Sequence, residues 1–282
     1  MDITSKTKIY CIFGNPVSHS LSPVMHNAGF SAVGLDAIYC AFEPDDIGRA
    51  VESMRSLGIT GASVTVPFKI DVMEYIDEID ELAKAIGAVN TLVNKNGTIS
   101  GYNTDGIGAC AAIAKSGIKL ASSNALIIGN GGSARAIAWS LLDQGCTVAV
   151  TGRNKEHISS LASQLGQKYN NVSCITSGEL TPQYTKDFDI IINTTPVGME
   201  PDSGRSPLEK KLLHSGQTIF DIVYKPDKTA LLTMAEEQGC KTIRGFEMLL
   251  NQGIEQFRIW TGSDAPKDVM RTAAEKFLYG RL

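Results

Sequence analysis

A glycine-rich turn and a few polar side chains just beyond apolar runs carry the chemistry this sequence can offer. Gly129-Asn130-Gly131-Gly132-Ser133-Ala134 follows the apolar residues 125–128 and opens a helical segment, the G-x-G-x-x-A context of a dinucleotide-binding turn. Gly129 permits the tight turn, Gly131 lets backbone approach a pyrophosphate, and Ala134 keeps the helix close to the strand. The helix start then offers unpaired N–H groups and a positive dipole end to the phosphates. About 20 residues on, an acidic residue would hold a ribose 2′-hydroxyl. The chain has Arg153 there instead, with Lys155 near it. A guanidinium suits a 2′-phosphate, so NADP is expected over NAD.

The first half supplies candidates for handling a substrate. Ser22 precedes Pro23 and reads as a helix N-cap, and together with Ser20 it can also receive a substrate carboxylate. Pro67 is expected to start a helix over residues 68–80, which places Lys69 in the first turn. There the dipole disfavours an ammonium, and a readily deprotonated amine can serve in proton transfer. The plainer reading is a surface lysine. Asp105 opens a helical segment and reads either as a helix-start charge or as the partner of Lys69 in a coupled acid/base dyad. His19 and His26 have no cysteine or carboxylate cluster beside them, so packing is expected and a metal site is not.

The elements around these residues alternate. Apolar strand-like runs hand over to segments of about 10–15 residues with helical spacing, which implies right-handed crossovers and a mostly parallel sheet. Asn96-Gly97 between two apolar segments signals a hairpin. A boundary near residue 105 splits the chain into two α/β halves. At 282 residues, 43% hydrophobic and 20% charged, the chain can form a sizeable core. A net charge of −4 leaves no basic excess for phosphate contacts and argues against nucleic acid as the main partner. The N-terminus lacks a signal-peptide pattern and no run approaches a membrane span of roughly 20 apolar residues, so a soluble, cytoplasmic protein without membrane partners is expected. Six scattered cysteines read as small buried hydrophobes in a reducing compartment. Oligomeric state leaves no mark, and a homodimer is compatible with the sequence.

The segments GNPVSHSLSPVMHN, SVTVPFK, AVNTL, GYNTDGIG, GNGGSARA, NTTPVGM, DIVYKP and MLLNQG stand in the order and spacing of the shikimate dehydrogenase family, and the chain resembles that family over nearly its whole length. The resemblance implies reversible NADPH-dependent reduction of 3-dehydroshikimate to shikimate, on the route to chorismate and the aromatic amino acids. It implies a substrate domain over 1–105, completed by C-terminal helices over 246–282, and a Rossmann-type NADP domain over 106–245, with the site in the cleft between them. Carried over by motif, Lys69 and Asp105 resemble the catalytic pair. Ser20 and Ser22, with Tyr224, resemble the residues at the substrate carboxylate, and Thr65, Asn90, Asp105 and Gln252 those at the ring hydroxyls. Gly129, Asn130, Gly131, Gly132, Ser133, Arg153, Asn193, Thr194, Thr195, Ile222 and Gly245 resemble the cofactor contacts, along the stretch that continues to Met199. Two departures stand out. Gly152-Arg153-Asn154 replaces the usual Asn-Arg-Thr, and Pro196 removes a backbone donor from the Asn193 stretch. Competing readings are a quinate/shikimate dehydrogenase that tolerates NAD and a non-catalytic NADP-sensing homologue. The two serines of HSLSP favour shikimate over quinate, and the presence of both Lys69 and Asp105 argues against a sensor.

Overall fold

The computed structural model describes residues 3–280. The chain divides into two compact units, Met1–Thr104 with Gln252–Leu282, and Asp105–Asn251.

The first unit runs β1 (Lys8–Phe13), α1 (Ser22–Ala32), β2 (Ala37–Phe42), α2 (Ile47–Ser56), β3 (Gly61–Val64), β4 (Glu78–Ile79), α3 (Glu81–Ile86), β5 (Thr91–Lys95) and β6 (Thr98–Tyr102). Its sheet has the order β2-β1-β3-β5-β6-β4. Pairing is parallel from β2 through β3, and antiparallel where the Asn96-Gly97 hairpin folds β5 against β6 and β5 meets β3. Alternate residues face opposite ways. Cys11, Phe13, Ala62 and Val64 pack with Val51 and Met54 of α2, while Tyr10 and Tyr39 turn to the other face.

One expected helix is absent. Residues 66–70 form turns, a short 3-10 segment covers Asp71–Glu74, and Glu78–Ile79 pairs with β6. The apolar spacing of Phe68, Val72, Ile76 and Ile79 suited a helix, but the Asp77 carboxylate accepts the Ile99 N–H and a bond from Arg55, pinning this segment to the sheet. Tertiary pairing overrides periodicity here. Lys69 therefore lies in a turn and not, as expected, in the first turn of a helix whose dipole would disfavour its ammonium.

The second unit runs α4 (Asp105–Lys115), β7 (Asn124–Ile128), α5 (Gly132–Asp143), β8 (Thr147–Gly152), α6 (Lys155–Gly166), β9 (Val172–Thr176), α7 (Pro182–Thr185), β10 (Ile190–Asn193), β11 (Thr218–Asp221), α8 (Ala230–Glu237) and β12 (Lys241–Ile243). Its sheet is wholly parallel in the order β12-β11-β10-β7-β8-β9. Read from β9, that is the strand order of a doubly wound Rossmann sheet, which changes direction between β7 and β10. Ala125 and Ile127 enter one core and Leu126 and Ile128 another, so helices cover both faces.

Helix α9 (Gly245–Thr261) opens in the second unit and belongs to the first from Gln252 onward; α10 (Lys267–Tyr279) follows it. Among the described residues no helix is long and apolar enough to cross a membrane.

Candidate active site

In the first unit the expected substrate residues gather beyond the carboxyl ends of β1 and β3, where such sheets bind ligands. The Thr65 N–H donates to the Phe13 carbonyl, the Val64 N–H to the Asn90 carbonyl, and the Val89 N–H to the Lys69 carbonyl. These bonds bring the turn that carries Lys69 beside Asn90. The Asn90 side chain is almost wholly buried and donates to Thr104 Oγ1 at 2.9 Å and, at 3.4 Å, to Gln252 Oε1 on α9. Thr65 and Lys69 are half-buried.

Ser22 differs from its expected role. The N-cap of α1 is Leu21 and no side chain caps the helix; Ser22 is its first residue and is buried. Its N–H donates to Ser20 Oγ at 3.2 Å, and its hydroxyl lies near the Tyr39 phenol. Burial holds that phenol well above its usual pKa, with the Ser63 and Ser22 hydroxyls opposing. The loop before α1 is held by Glu43, whose Oε1 accepts the N–H groups of Val17 (2.6 Å) and Ser18 (2.8 Å); these two bonds lower its pKa.

Beneath these residues lies a buried polar chain. Tyr39 Oη donates to Ser63 Oγ at 2.6 Å, Ser63 Oγ to Gln256 Oε1 at 2.8 Å, and Gln256 Nε2 to the Asn90 carbonyl at 3.1 Å and to Thr91 Oγ1 at 3.0 Å. Each bond satisfies a group whose burial would otherwise be costly. The chain thus links Tyr39 at one end to Asn90 and Gln252 at the other.

In the second unit Asp105 starts α4, is 3% exposed, and accepts a hydrogen bond from Ser133 Oγ at 3.3 Å. Gly129 adopts φ +121°, and a Cβ there would come within 2.5 Å of Thr194 Oγ1. Thr194 in turn donates through its N–H and its hydroxyl to the Ile128 carbonyl. These two bonds hold the loop that follows β10, which ends at Asn193, against the end of β7. A Cβ on Gly245 would overlap the Ile222 carbonyl and approach the Val223 carbonyl at 2.5 Å. The turn, the loop after β10, Ile222 and Gly245 therefore form one rim along the carboxyl ends of β7, β10 and β11. Tyr224, half-buried, stands two residues past Ile222.

These residues fit a dinucleotide. Gly131 caps α5 without a side chain bonded to the first-turn N–H groups, and the space where its Cβ would stand is open. Arg153 is exposed and lines an open hollow with Asn154, Lys155 and Glu156. Asn154 itself caps α6 by accepting the His157 N–H. Among the described residues no group of three His, Cys, Asp or Glu is placed to hold a metal.

Reading the sequence missed Glu43, the chain through Gln256, and Asp221, which is buried at the end of β11. One signal was present. Gln256 lies four residues after Gln252, one turn along the same helix face.

Comparisons with known proteins cover nearly the whole chain. It matches the shikimate dehydrogenase substrate binding domain over residues 12–92, shikimate/quinate 5-dehydrogenase over 111–222, and the shikimate 5′-dehydrogenase C-terminal domain over 245–275. It is 43% identical to the shikimate dehydrogenase (NADP+) of Methanothermobacter thermautotrophicus, covering 98% of this chain and 99% of that protein. A crystal structure of a shikimate dehydrogenase in complex with NADP+ superposes with a TM-score of 0.90 at 37% identity, covering 98% of each chain. The Thermus thermophilus enzyme in complex with NADP(H) and shikimate superposes with a TM-score of 0.85 at 32% identity, over 95% of this chain and 99% of that one.

Proposed function

The chain belongs to the shikimate dehydrogenase family, and from that premise we propose that it interconverts 3-dehydroshikimate and shikimate with NADP, using Lys69 and Asp105 for the proton chemistry. The activity and the cofactor are carried by the likeness to NADP-dependent shikimate dehydrogenases over 98% of the chain. When bound, the nicotinamide supplies hydride to the substrate carbonyl carbon or accepts it from the alcohol.

Reduction builds negative charge on the carbonyl oxygen, and an ammonium beside it both stabilises that charge and supplies the proton. Lys69 takes that role. Asp105 takes the second role, holding a substrate hydroxyl and tuning the proton transfer, and its bond to Ser133 supports this by setting the carboxylate against the glycine-rich turn. Ser20 and Ser22 receive the substrate carboxylate, with Tyr224 contributing from the rim. Thr65, Asn90 and Gln252 meet the ring hydroxyls. Their fixed hydrogen-bonding partners favour this reading, because a preformed polar site loses little freedom on binding. Arg153 takes the 2′-phosphate.

A cytoplasmic place on the route to chorismate goes with this activity and with six free thiols that a reducing compartment preserves. The test is the rise in reduced-nicotinamide absorbance on mixing the protein with shikimate and NADP+, run beside quinate and beside NAD+. No turnover with shikimate and NADP+ would refute the proposal.

A further inference from the structure

The loop after β10 and the turn after β11, two parts of the rim, are joined by a carboxylate to which the proposed proton chemistry gives no role. Asn193 and Asp221 are register partners at the ends of β10 and β11, and both are fully buried. Asn193 Nδ2 donates to Asp221 Oδ1 at 2.9 Å and to the Val197 carbonyl at 3.2 Å. The same Oδ1 accepts the Val223 N–H at 3.1 Å, and Oδ2 accepts the Thr229 hydroxyl at 2.7 Å. With its amide nitrogen held there, Asn193 turns Oδ1 toward Thr195, accepting from the N–H at 3.0 Å and from Oγ1 at 2.7 Å. One acid thus sets the orientation of Asn193, the course of residues 193–197, and the turn after β11 that meets Gly245.

We propose that Asp221 is a positioning residue for the dinucleotide: its ionised carboxylate holds residues 193–195 and 222–223 in the arrangement that binds NADP, and protonation loosens that hold. This rests on the reading that those residues contact the cofactor. The donors that meet the carboxylate, on Asn193, Val223 and Thr229, are uncharged. Protonation at Oδ2 makes the Thr229 hydroxyl reverse and accept, and the bonds from Asn193 and Val223 to Oδ1 lose their charge assistance. Burial raises the Asp221 pKa to about 6, with the bonds from Thr229, Val223 and Asn193 opposing. Mild acid therefore reaches the group.

The experiment is calorimetric titration of NADP+ into the full-length protein and into Asp221→Asn, between about pH 8 and about pH 5. Exchanging charge-assisted bonds for neutral ones should weaken binding about tenfold at the upper pH. The two dissociation constants should converge at the lower pH, where the natural residue is itself protonated. Because the comparison is between two proteins, titration of the NADP+ 2′-phosphate cancels. Thr229→Val, which removes one donor to the carboxylate, should move the midpoint of the pH dependence upward, and it serves if Asp221→Asn does not fold. Equal affinities at the upper pH, or a constant ratio across the range, would overturn the proposal while leaving the cofactor assignment standing. Failure of the unaltered protein to bind NADP+ would overturn both.

Discussion

Ser133 Oγ donates to Asp105 Oδ2 at 3.3 Å. The donor stands in the first turn of α5, straight after the glycine-rich turn, and the acceptor opens α4. A residue of the dinucleotide loop and the acid assigned to proton chemistry are thus one contact apart, within a single unit of the chain. Ser133→Ala should accordingly lower kcat/KM for shikimate by roughly tenfold, the worth of one hydrogen bond to a charged group. Steady-state kinetics at saturating NADP+ would show it, and an unchanged value would mean the bond plays no part in turnover.

Lys69→Ala and Asp105→Asn remove the two groups to which the proposal gives the proton chemistry, a role exerted mainly in the transition state. We expect kcat to fall about 10²–10⁴-fold in each, with a much smaller rise in KM for shikimate. A variant that kept near-normal kcat would release its residue from that role.

Arg153→Ala removes the guanidinium assigned to the 2′-phosphate. KM for NADP+ should rise about tenfold or more, with little change for NAD+. An equal rise for both cofactors would place the contact elsewhere on the dinucleotide.

Gln256→Leu cuts the buried chain at its centre, leaving the Asn90 carbonyl and the Ser63 hydroxyl without that partner. Stability should drop by about 1–3 kcal/mol, and KM for shikimate should rise while KM for NADP+ stays within about twofold. Denaturant titration and kinetics together test this. A rise in both KM values would point to general loosening instead.

His26 is fully buried on α1, stacked on Tyr39 with ring centroids 4.7 Å apart and edge-on to Trp260 at 5.1 Å. Neither ring nitrogen completes a hydrogen bond of normal geometry. Burial pushes its pKa from 6.5 down to about 3, with the Gln256 side chain opposing in part. The unfolded chain therefore gains a proton at this residue as pH falls through 6.5, and the native state gains it only near 3. The stability this supplies is whole at neutral pH and drains away across that interval. His26→Leu should lose less thermal stability than the unaltered protein between about pH 7 and about pH 4. Parallel losses on thermal denaturation would contradict the buried neutral state.

The glycine-rich turn, the strand and helix flanking it, the Asn96-Gly97 hairpin and the alternation of strands with helices were all legible along the chain. Each is specified by neighbours within a few residues: a glycine where φ must be positive, an apolar run long enough for one strand, 3.6-residue spacing for one helix face. The motif segments likewise named the residues that the structure gathers at the strand ends of each unit. Residues 68–80 show the limit. Their spacing was helical, yet Asp77 bonds to Ile99 and Arg55 and Glu78–Ile79 pairs with β6, partners some 20 positions away that no local window contains. Ser22 is not the cap its place before Pro23 suggests, because the helix starts one residue earlier than expected, with Leu21 at the cap position. The polar chain through Gln256 and the carboxylate of Asp221 became visible only in three dimensions. Whether a buried polar group is satisfied depends on what folding brings opposite it, and that geometry, unlike propensity, is not written in the order of residues.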